Sequence, residues 1–526
     1  MLPEGISARP KKEWTNSHEN FTQELVEEAS FKLTNPPGGT GWERYRKSTK
    51  NFQWLIKNAI KKGHRIRALG RGWSFSKVGV SKGGIIDTLS LNFSFPIIDE
   101  DLNPAYANTK EDLYFLQCGT KVHQLNSRLA QKKPPRSIKA SGASNGQTIA
   151  GAMSTGTHGA AFGVGAIQDF VVGLHIITGP NKHVWVERES YPVASKDWGE
   201  LLDVDEVIKD DDIFKAAVVS FGSFGIIHGV MIETEPMFLI EERRIGNIPY
   251  NAALKKAMTQ LDFSGLNLPG RGPGKDLYHF EILFNLHNFK PNDAEKGAFL
   301  KYMFKKAYKP EEVNLLPTDK FKYGSDLLGI ISSTLDTLAV LSDLVIPPLV
   351  NLMFKDAFAP REPQTGTIGQ IFNFTKFRGQ VSSAAIGIAI EDSPRVLELI
   401  MAVNKDKPFP GGLALRYVKG TDATLGFTKF PNTCVLEMDG LDGKASRKFF
   451  TEVWNTFEAE GIPYTLHWGK INFNLNKTRV KRMYGAAKVN SWIDARNELM
   501  EKPAMPVFTN EFMEKCGLDK VLGEIV

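Results

Sequence analysis

The chain is poor in cysteine, has no long unbroken apolar run, and carries no strong excess of charge of either sign. Its three cysteines, Cys118, Cys434 and Cys516, stand far apart in 526 residues with no CxxC spacing. Neither a disulfide framework nor a zinc cluster can be built from them, so they read as buried or incidental thiols and no metal site is expected. Lys and Arg outnumber Asp and Glu by 65 to 59 with both signs interspersed, too thin a surplus to imply nucleic acid. The most apolar stretch, Leu327 to Phe354, contains Asp336, Asp343 and the pair Pro347 and Pro348. That argues against an integral membrane segment and for a kinked helical segment lining a core or pocket. The opening residues, MLPEGISARPKKEW, lack the apolar core of a secretory signal, which makes the cytoplasm the default location.

What is present is ordinary for a globular protein: 42% apolar and 24% charged residues, over a length that accommodates about two to four domains. Residues 1–40 are polar, end in PPGGT, and read as an arm with little chemistry. From Ser48, apolar residues recur at helical spacing up to a stop at Gly63, and HRIRAL then reads as a strand. Short apolar runs such as LYFLQCGT alternate with helical stretches such as TKVHQLNSRLAQK. The pattern is α+β without internal repeats. After Pro236 the glycine clusters thin out, and strands such as LYHFEILFNL, SSAAIGIAIE, LALRYVK and CVLEMDG alternate with helices such as PRVLELIMAV and SRKFFTEVWNTFE. One antiparallel sheet covered by helices is the simplest arrangement. We divide the chain into an amino-terminal unit (1–242), a second unit (243–470) and a carboxy-terminal segment (471–526) that packs rather than dangles.

Two glycine-rich segments can carry chemistry. RALGRGWSFS, directly after a strand, offers backbone N–H groups around Gly70 and Gly72 and the hydroxyls of Ser74 and Ser76 to an anion. It lacks both GxGxxG and the P-loop lysine, and on spacing alone a plain tight turn is the simpler reading. SGASNGQTIAGAMSTGTHGAAFG can wrap main-chain donors around a long phosphate-bearing cofactor, and its bulky His158 stands among small residues. A histidine bonded to backbone is the plain alternative.

Together these segments resemble the FAD-binding domain of the vanillyl-alcohol oxidase family, also called the PCMH-type flavoprotein fold. IRALGRGWSFS looks like its pyrophosphate loop, GQTIAGAMSTGTHG like its second flavin-contacting segment, and SFGSFGIIHGVMIETEP like its closing strand unit. The resemblance implies a two-subdomain PCMH-type FAD-binding domain plus a substrate domain. It also implies FAD contacts at Arg67, Gly70, Arg71, Gly72, Trp73, Ser74, Gly142, Gln147, Thr148, Gly151, Ser154, Gly156, Thr157, His158 and Gly159, and at Gly222, Gly225, Ile226 and Ile227. LHWGKINF and VFTNEFMEK resemble the ends of the aldonolactone, alditol and bacterial flavin-linked cholesterol oxidases. By that likeness Lys470 lies at the flavin pyrimidine edge, Arg416 reaches the same region, and Asn510 bonds flavin or backbone. The apolar middle, Gly329 to Phe358, looks loosely like the substrate domain of the cholesterol oxidase branch.

The chain departs from the family pattern twice. Where relatives carry a histidine that bonds the flavin covalently, this loop has Arg71 or Trp73, so a dissociable FAD is expected, with a link from another residue such as His158 as the alternative. Where relatives have Glu-x-Arg, this strand reads Ala414-Leu415-Arg416, leaving Glu281 or Glu437 to supply a carboxylate from a neighbouring strand. With that Glu missing, His467 is the first choice of base, although it may equally brace the loop from an outward-facing position. Gly142 falls where a small residue leaves room for oxygen. The expected activity is oxidation of a small-molecule alcohol, hydrophobic or amphipathic, by hydride transfer to flavin N5, with O2 as acceptor and hydrogen peroxide as product. A sugar-lactone oxidase or dehydrogenase is the close alternative, and a flavin-binding protein with a redox-neutral or non-catalytic role is the alternative of another class.

Overall fold

Thr40 accepts a hydrogen bond from the Glu43 amide while the Glu43 carboxylate takes the Thr40 N–H, and this reciprocal cap starts the helix Gly41–Lys62. Gly63, at φ 65°, ends it in the left-handed conformation a helix terminus favours. The buried stripe of that helix, Tyr45, Phe52, Leu55, Ile56 and Ala59, is the 3.6-residue periodicity seen in the sequence, and it places the strand Ile66–Leu69 at the edge of the first sheet. The computed structural model describes residues 2–315, 346–358, 362–373 and 381–520. Of the apolar stretch, 327–345 lies outside the described residues, while Ile346–Ala357 is a helix.

Three sheets organise the molecule. The first has four strands in the order Ile6–Ala8, Phe31–Thr34, Gly84–Ser90, Ile66–Leu69, with the last three parallel. The second has six, with Val171–Ile177 and Ile226–Glu233 at its centre. The third has eight, all antiparallel, in the order Gln364–Gly366, Phe238–Ile248, Ala298–Ala307, Asp276–Phe284, Gly411–Lys419, Asn432–Leu441, Val381–Ala389, Thr465–Leu466. Helices Ala252–Gln260, Ser393–Asp406 and Lys444–Ala459 form a layer with it. This is the α+β architecture the sequence implied, with one antiparallel sheet beneath helices.

Strand alternation decides which side chains of the third sheet meet the helices. Leu413, Leu415 and Tyr417 share one face, with Tyr417 beside Ser393 of the helix layer. Ala414 and Arg416 therefore take the opposite face. The carboxy-terminal segment returns to the amino-terminal unit: the Trp492 indole donates to Val219 O, and Arg496 donates to Ser223 O and Met505 O. Among the described residues, no helix is long and apolar enough to cross a membrane.

The amino-terminal forty residues are more than an arm. Ile6–Ala8 and Phe31–Thr34 join the first sheet. Between them Glu13–Thr15 pairs with Thr22–Glu24 in a hairpin. Polar composition had hidden these strands because each is short and half-exposed.

Candidate active site

A cleft of about 1540 Å³ opens where the amino-terminal unit meets the third sheet. Its first wall is the loop after Ile66–Leu69, with Gly70, Arg71, Gly72, Trp73 and Ser74 all lining it. Gly72 sits at φ 72°, and a Cβ there would come within 2.5 Å of the Trp14 ring, so both conformation and space require glycine. The loop is held from two sides. Asn16 Nδ2 donates to Ser74 O and the Ser17 amide donates to Gly72 O. From the other side, the Phe75 amide donates to Gly469 O and Ser76 Oγ to Trp468 O.

The second wall is the other glycine-rich segment: Gly142, Gln147, Thr148, Gly151, Ser154, Thr157 and His158 line the cleft, as do Gly222, Gly225 and Ile227. Buried Gln147 Oε1 has no hydrogen-bond partner in the protein, and hydroxyls of Ser74, Thr148, Ser154 and Thr157 stand along the same cleft. A cleft with glycine turns, hydroxyls and an unsatisfied buried amide oxygen fits a phosphate-bearing dinucleotide such as FAD.

The third sheet contributes Arg416 and Glu437 to the cleft, and the turn after its strand Thr465–Leu466 contributes His467 and Lys470. The register brings two carboxylates to the arginine. Ala414 pairs directly with Glu437, and Arg416 with Glu281, so two neighbouring strands each deliver a glutamate to the Arg416 face. Arg416 Nη1 lies 2.9 Å from Glu437 and Nε 3.0 Å from Glu281. Lys470 Nζ is 3.9 Å from Glu437 and donates to Ser383 Oγ at 2.6 Å. Burial works against the charge of Glu437, yet Arg416, Lys470 and His158 outweigh it and hold the carboxyl below the ordinary range. Glu281 is likewise depressed, burial being overcome by Arg416 and Lys301. Only Glu437 of the two lines the cleft.

His467 lines the cleft, but its Nδ1 accepts the Gly469 amide hydrogen at 3.0 Å. Burial, then His158 and Lys470, hold its pKa well below the usual histidine value, while a hydrogen bond to the Gly156 backbone works the other way. The ring thus faces the cleft rather than away from it, while its Nδ1 is engaged by the loop backbone. His158 is bonded to backbone too, its Nδ1 donating to Gly159 O at 3.0 Å, and it also faces the cleft. Burial lowers its pKa to about 4.

Five expected FAD contacts do not line the cleft. Arg67 is buried and donates to Phe221 O and towards Met513 Sδ. Gly156, Gly159 and Ile226 lie behind the surface, Ile226 within a hydrophobic cluster. Asn510 caps the helix Glu511–Cys516 and donates to Val78 O and Val80 O, so of the two options it bonds backbone and supports the cleft from outside.

Several lining residues carried no sequence signal. Trp14, His18 and Phe21 come from the hairpin that was read as chemically idle, and Cys118, read as incidental, lines the cleft as well. The His18 ring stacks on Phe75 at 3.9 Å, and burial followed by the nearby Lys470 charge lowers its pKa to about 3. Phe75 and Ser76 were within reach, since they continue the loop already singled out.

Residues 45–187 match the family described as FAD binding domain. D-arabinono-1,4-lactone oxidase of Kluyveromyces lactis is 28% identical over 190 residues, covering 36% of this chain and 30% of its own length. L-gulono-1,4-lactone dehydrogenase of Mycobacterium tuberculosis is 28% identical over 186 residues, covering 35% of this chain and 36% of its own length. The amino-terminal stretch of the chain thus matches an FAD binding domain. The match spans about a third of the length of these curated relatives. In fold the likeness runs through the chain: cholesterol oxidase from B. sterolicum superposes with a TM-score of 0.63 at 14% identity over 97% of both chains. A chitooligosaccharide oxidase does so at 0.59 and 11% identity over 94% of this chain and 93% of that one.

Proposed function

We propose that this flavoprotein oxidises the CH–OH group of an amphipathic alcohol, with oxygen as the electron acceptor. The observation that carries the reading is the buried cluster of Arg416, Glu437 and Lys470 in the FAD cleft. Bound in the cleft, FAD supplies the hydride acceptor that the side chains cannot provide. The Arg416 guanidinium binds the substrate oxygen, and its planar fork fixes the direction of approach. Glu437, ionised between two cations, accepts the hydrogen bond of the substrate hydroxyl and takes its proton. Lys470 presents a fixed positive charge where negative charge grows during the reaction, an effect typically worth about 3 kcal/mol. His467 braces the loop that carries Lys470.

The dissociable-FAD reading rests on Arg71 and Trp73 in the loop, since neither makes a histidyl link. His18, His158 and Cys118 also line the cleft, and they are the side chains that would make one. Oxygen access rests on Gly142, although a Cβ there would also come within 2.8 Å of Thr157 Cγ2, so packing is a second reason for glycine. For the substrate, the cluster suits one hydroxyl, and the helix Ile346–Ala357, IPPLVNLMFKDA, brings an apolar sequence to the same unit. A sugar lactone is the second reading, supported by the names of the relatives that match the amino-terminal stretch, a lactone oxidase and a lactone dehydrogenase.

Purified protein tests this directly. Yellow colour should pass into the supernatant on acid precipitation, and aerobic incubation with sterols, long-chain alcohols and aldonolactones should yield peroxide with the amphipathic alcohols. Colour held in the pellet defeats the dissociable-FAD reading, and turnover of lactones alone replaces the substrate class.

A further inference from the structure

A second cavity, of about 1010 Å³, lies beside the FAD cleft and shares Phe21, Phe75 and Ser76 with it. A single layer of side chains therefore divides the two. The walls are aromatic and aliphatic, with Phe21, Phe75, Ile471, Phe473 and Phe512, whereas Lys77, Lys82, Arg447 and Lys515 supply four cations. Two of these cations already lie over wall rings, Lys77 at 5.6 Å from the Phe21 centroid and Arg447 at 5.7 Å from that of Phe473. Among the described lining residues Glu511 is the one carboxylate, and its oxygens accept the Lys82 amide and pair with Arg65. Arg447 pairs with Asp442 at 3.4 Å, whereas Lys77 and Lys515 donate to the carbonyls of Thr22 and Phe473, so the cavity combines flat apolar surfaces with lysine charge.

We propose that this cavity binds a planar aromatic anion of the quinone class, a second electron acceptor that is reduced across the Phe75 layer. Ring faces stack on the phenylalanines, while a sulfonate, carboxylate or phenolate group meets the lysine and arginine side chains. The redox half of the proposal rests on the function proposed above, and the binding half does not. In the step, two electrons and two protons leave the reduced flavin and convert the quinone to its hydroquinone, and the flavin returns to the oxidised form. No other oxidant is required.

Binding is measured with anthraquinone sulfonate and an uncharged anthraquinone added to oxidised holoenzyme, by quenching of tryptophan fluorescence. Saturable binding of the sulfonate is expected, weakened about tenfold in the Lys77→Gln/Lys515→Gln variant and restored by Arg at both positions. Electron transfer is read separately: the flavin is photoreduced without oxygen or alcohol and mixed with dichlorophenolindophenol, an anion, or with benzoquinone, which is uncharged. The double variant should slow reoxidation by the anion by the same factor and leave that by benzoquinone unchanged. Because photoreduction bypasses the alcohol, a wrong substrate class does not affect this arm. Equal binding of the charged and uncharged probes overturns the site. Weakened binding with an unchanged rate of reoxidation overturns its role as an acceptor seat.

Discussion

Arg416 connects two buried carboxylates, and the proposed chemistry rests on the difference between them. Glu281 sits between Arg416 and Lys301, away from the cleft, whereas Glu437 faces it. Replacing Glu437 with Gln should slow flavin reduction on the order of a hundredfold to ten-thousandfold, measured by anaerobic stopped-flow. A loss below tenfold would return the proton to another group. Both cations depress the Glu437 carboxyl, so its contribution is present at neutral pH and is lost only as pH falls through that lowered value. The rate of flavin reduction should therefore stay flat from neutral pH down into the ordinary carboxylate range. Lys470→Met should slow the same step about a hundredfold with little change in the FAD dissociation constant. An equal effect on both would make the lysine a cofactor ligand rather than a participant in the reaction.

Elements show the same division between what contacts the cleft and what holds it in place. The pyrophosphate-loop candidate is clamped by a hairpin before it and a helix cap far after it. Asn16 donates to Ser74 O and its Oδ1 accepts the Asn20 amide, while Asn510 caps its helix and binds Val78 O and Val80 O. Asn16→Ala and Asn510→Ala should each cost about 1–2 kcal/mol. Because both clamp the cleft wall, each should also weaken FAD binding, read by fluorescence titration against a thermal melt. The Asn16 clamp was not legible in the sequence, because Asn16 lies in a segment without periodicity; Asn510 was singled out by its motif, but not its partner, a loop more than four hundred residues earlier. By contrast, the helices Gly41–Lys62 and Lys444–Ala459 were legible, because a buried stripe repeats at a fixed interval whatever its partner, and the strand Gly411–Lys419 was legible as a short apolar run, buried on both faces.

At the scale of the whole molecule, burial has driven four histidines to low pKa values: His18 and His228 to about 3, His158 and His279 to about 4. The native state keeps them neutral while an unfolded chain protonates near the ordinary histidine value of about 6.5. Stability contributed this way is fully present above 6.5 and declines as pH falls towards 4, by up to about 1.4 kcal/mol per pH unit for each such ring. The melting temperature should be level above neutrality and drop across that interval, and His228→Gln should flatten the drop; a level profile down to pH 4 would contradict buried neutral rings. The sequence by itself determined the α+β class and the glycine-rich segments, because those follow from local periodicity and residue type, and its resemblance to a known family singled out Arg416, Lys470 and the two candidate glutamates. Only the tertiary structure decided that Glu437 rather than Glu281 faces the cleft, that His467 is bonded to backbone, and that the amino-terminal hairpin forms a wall. Each of these depends on strand register or on contacts between distant parts of the chain, and a one-residue change of register turns a side chain to the other face of its sheet.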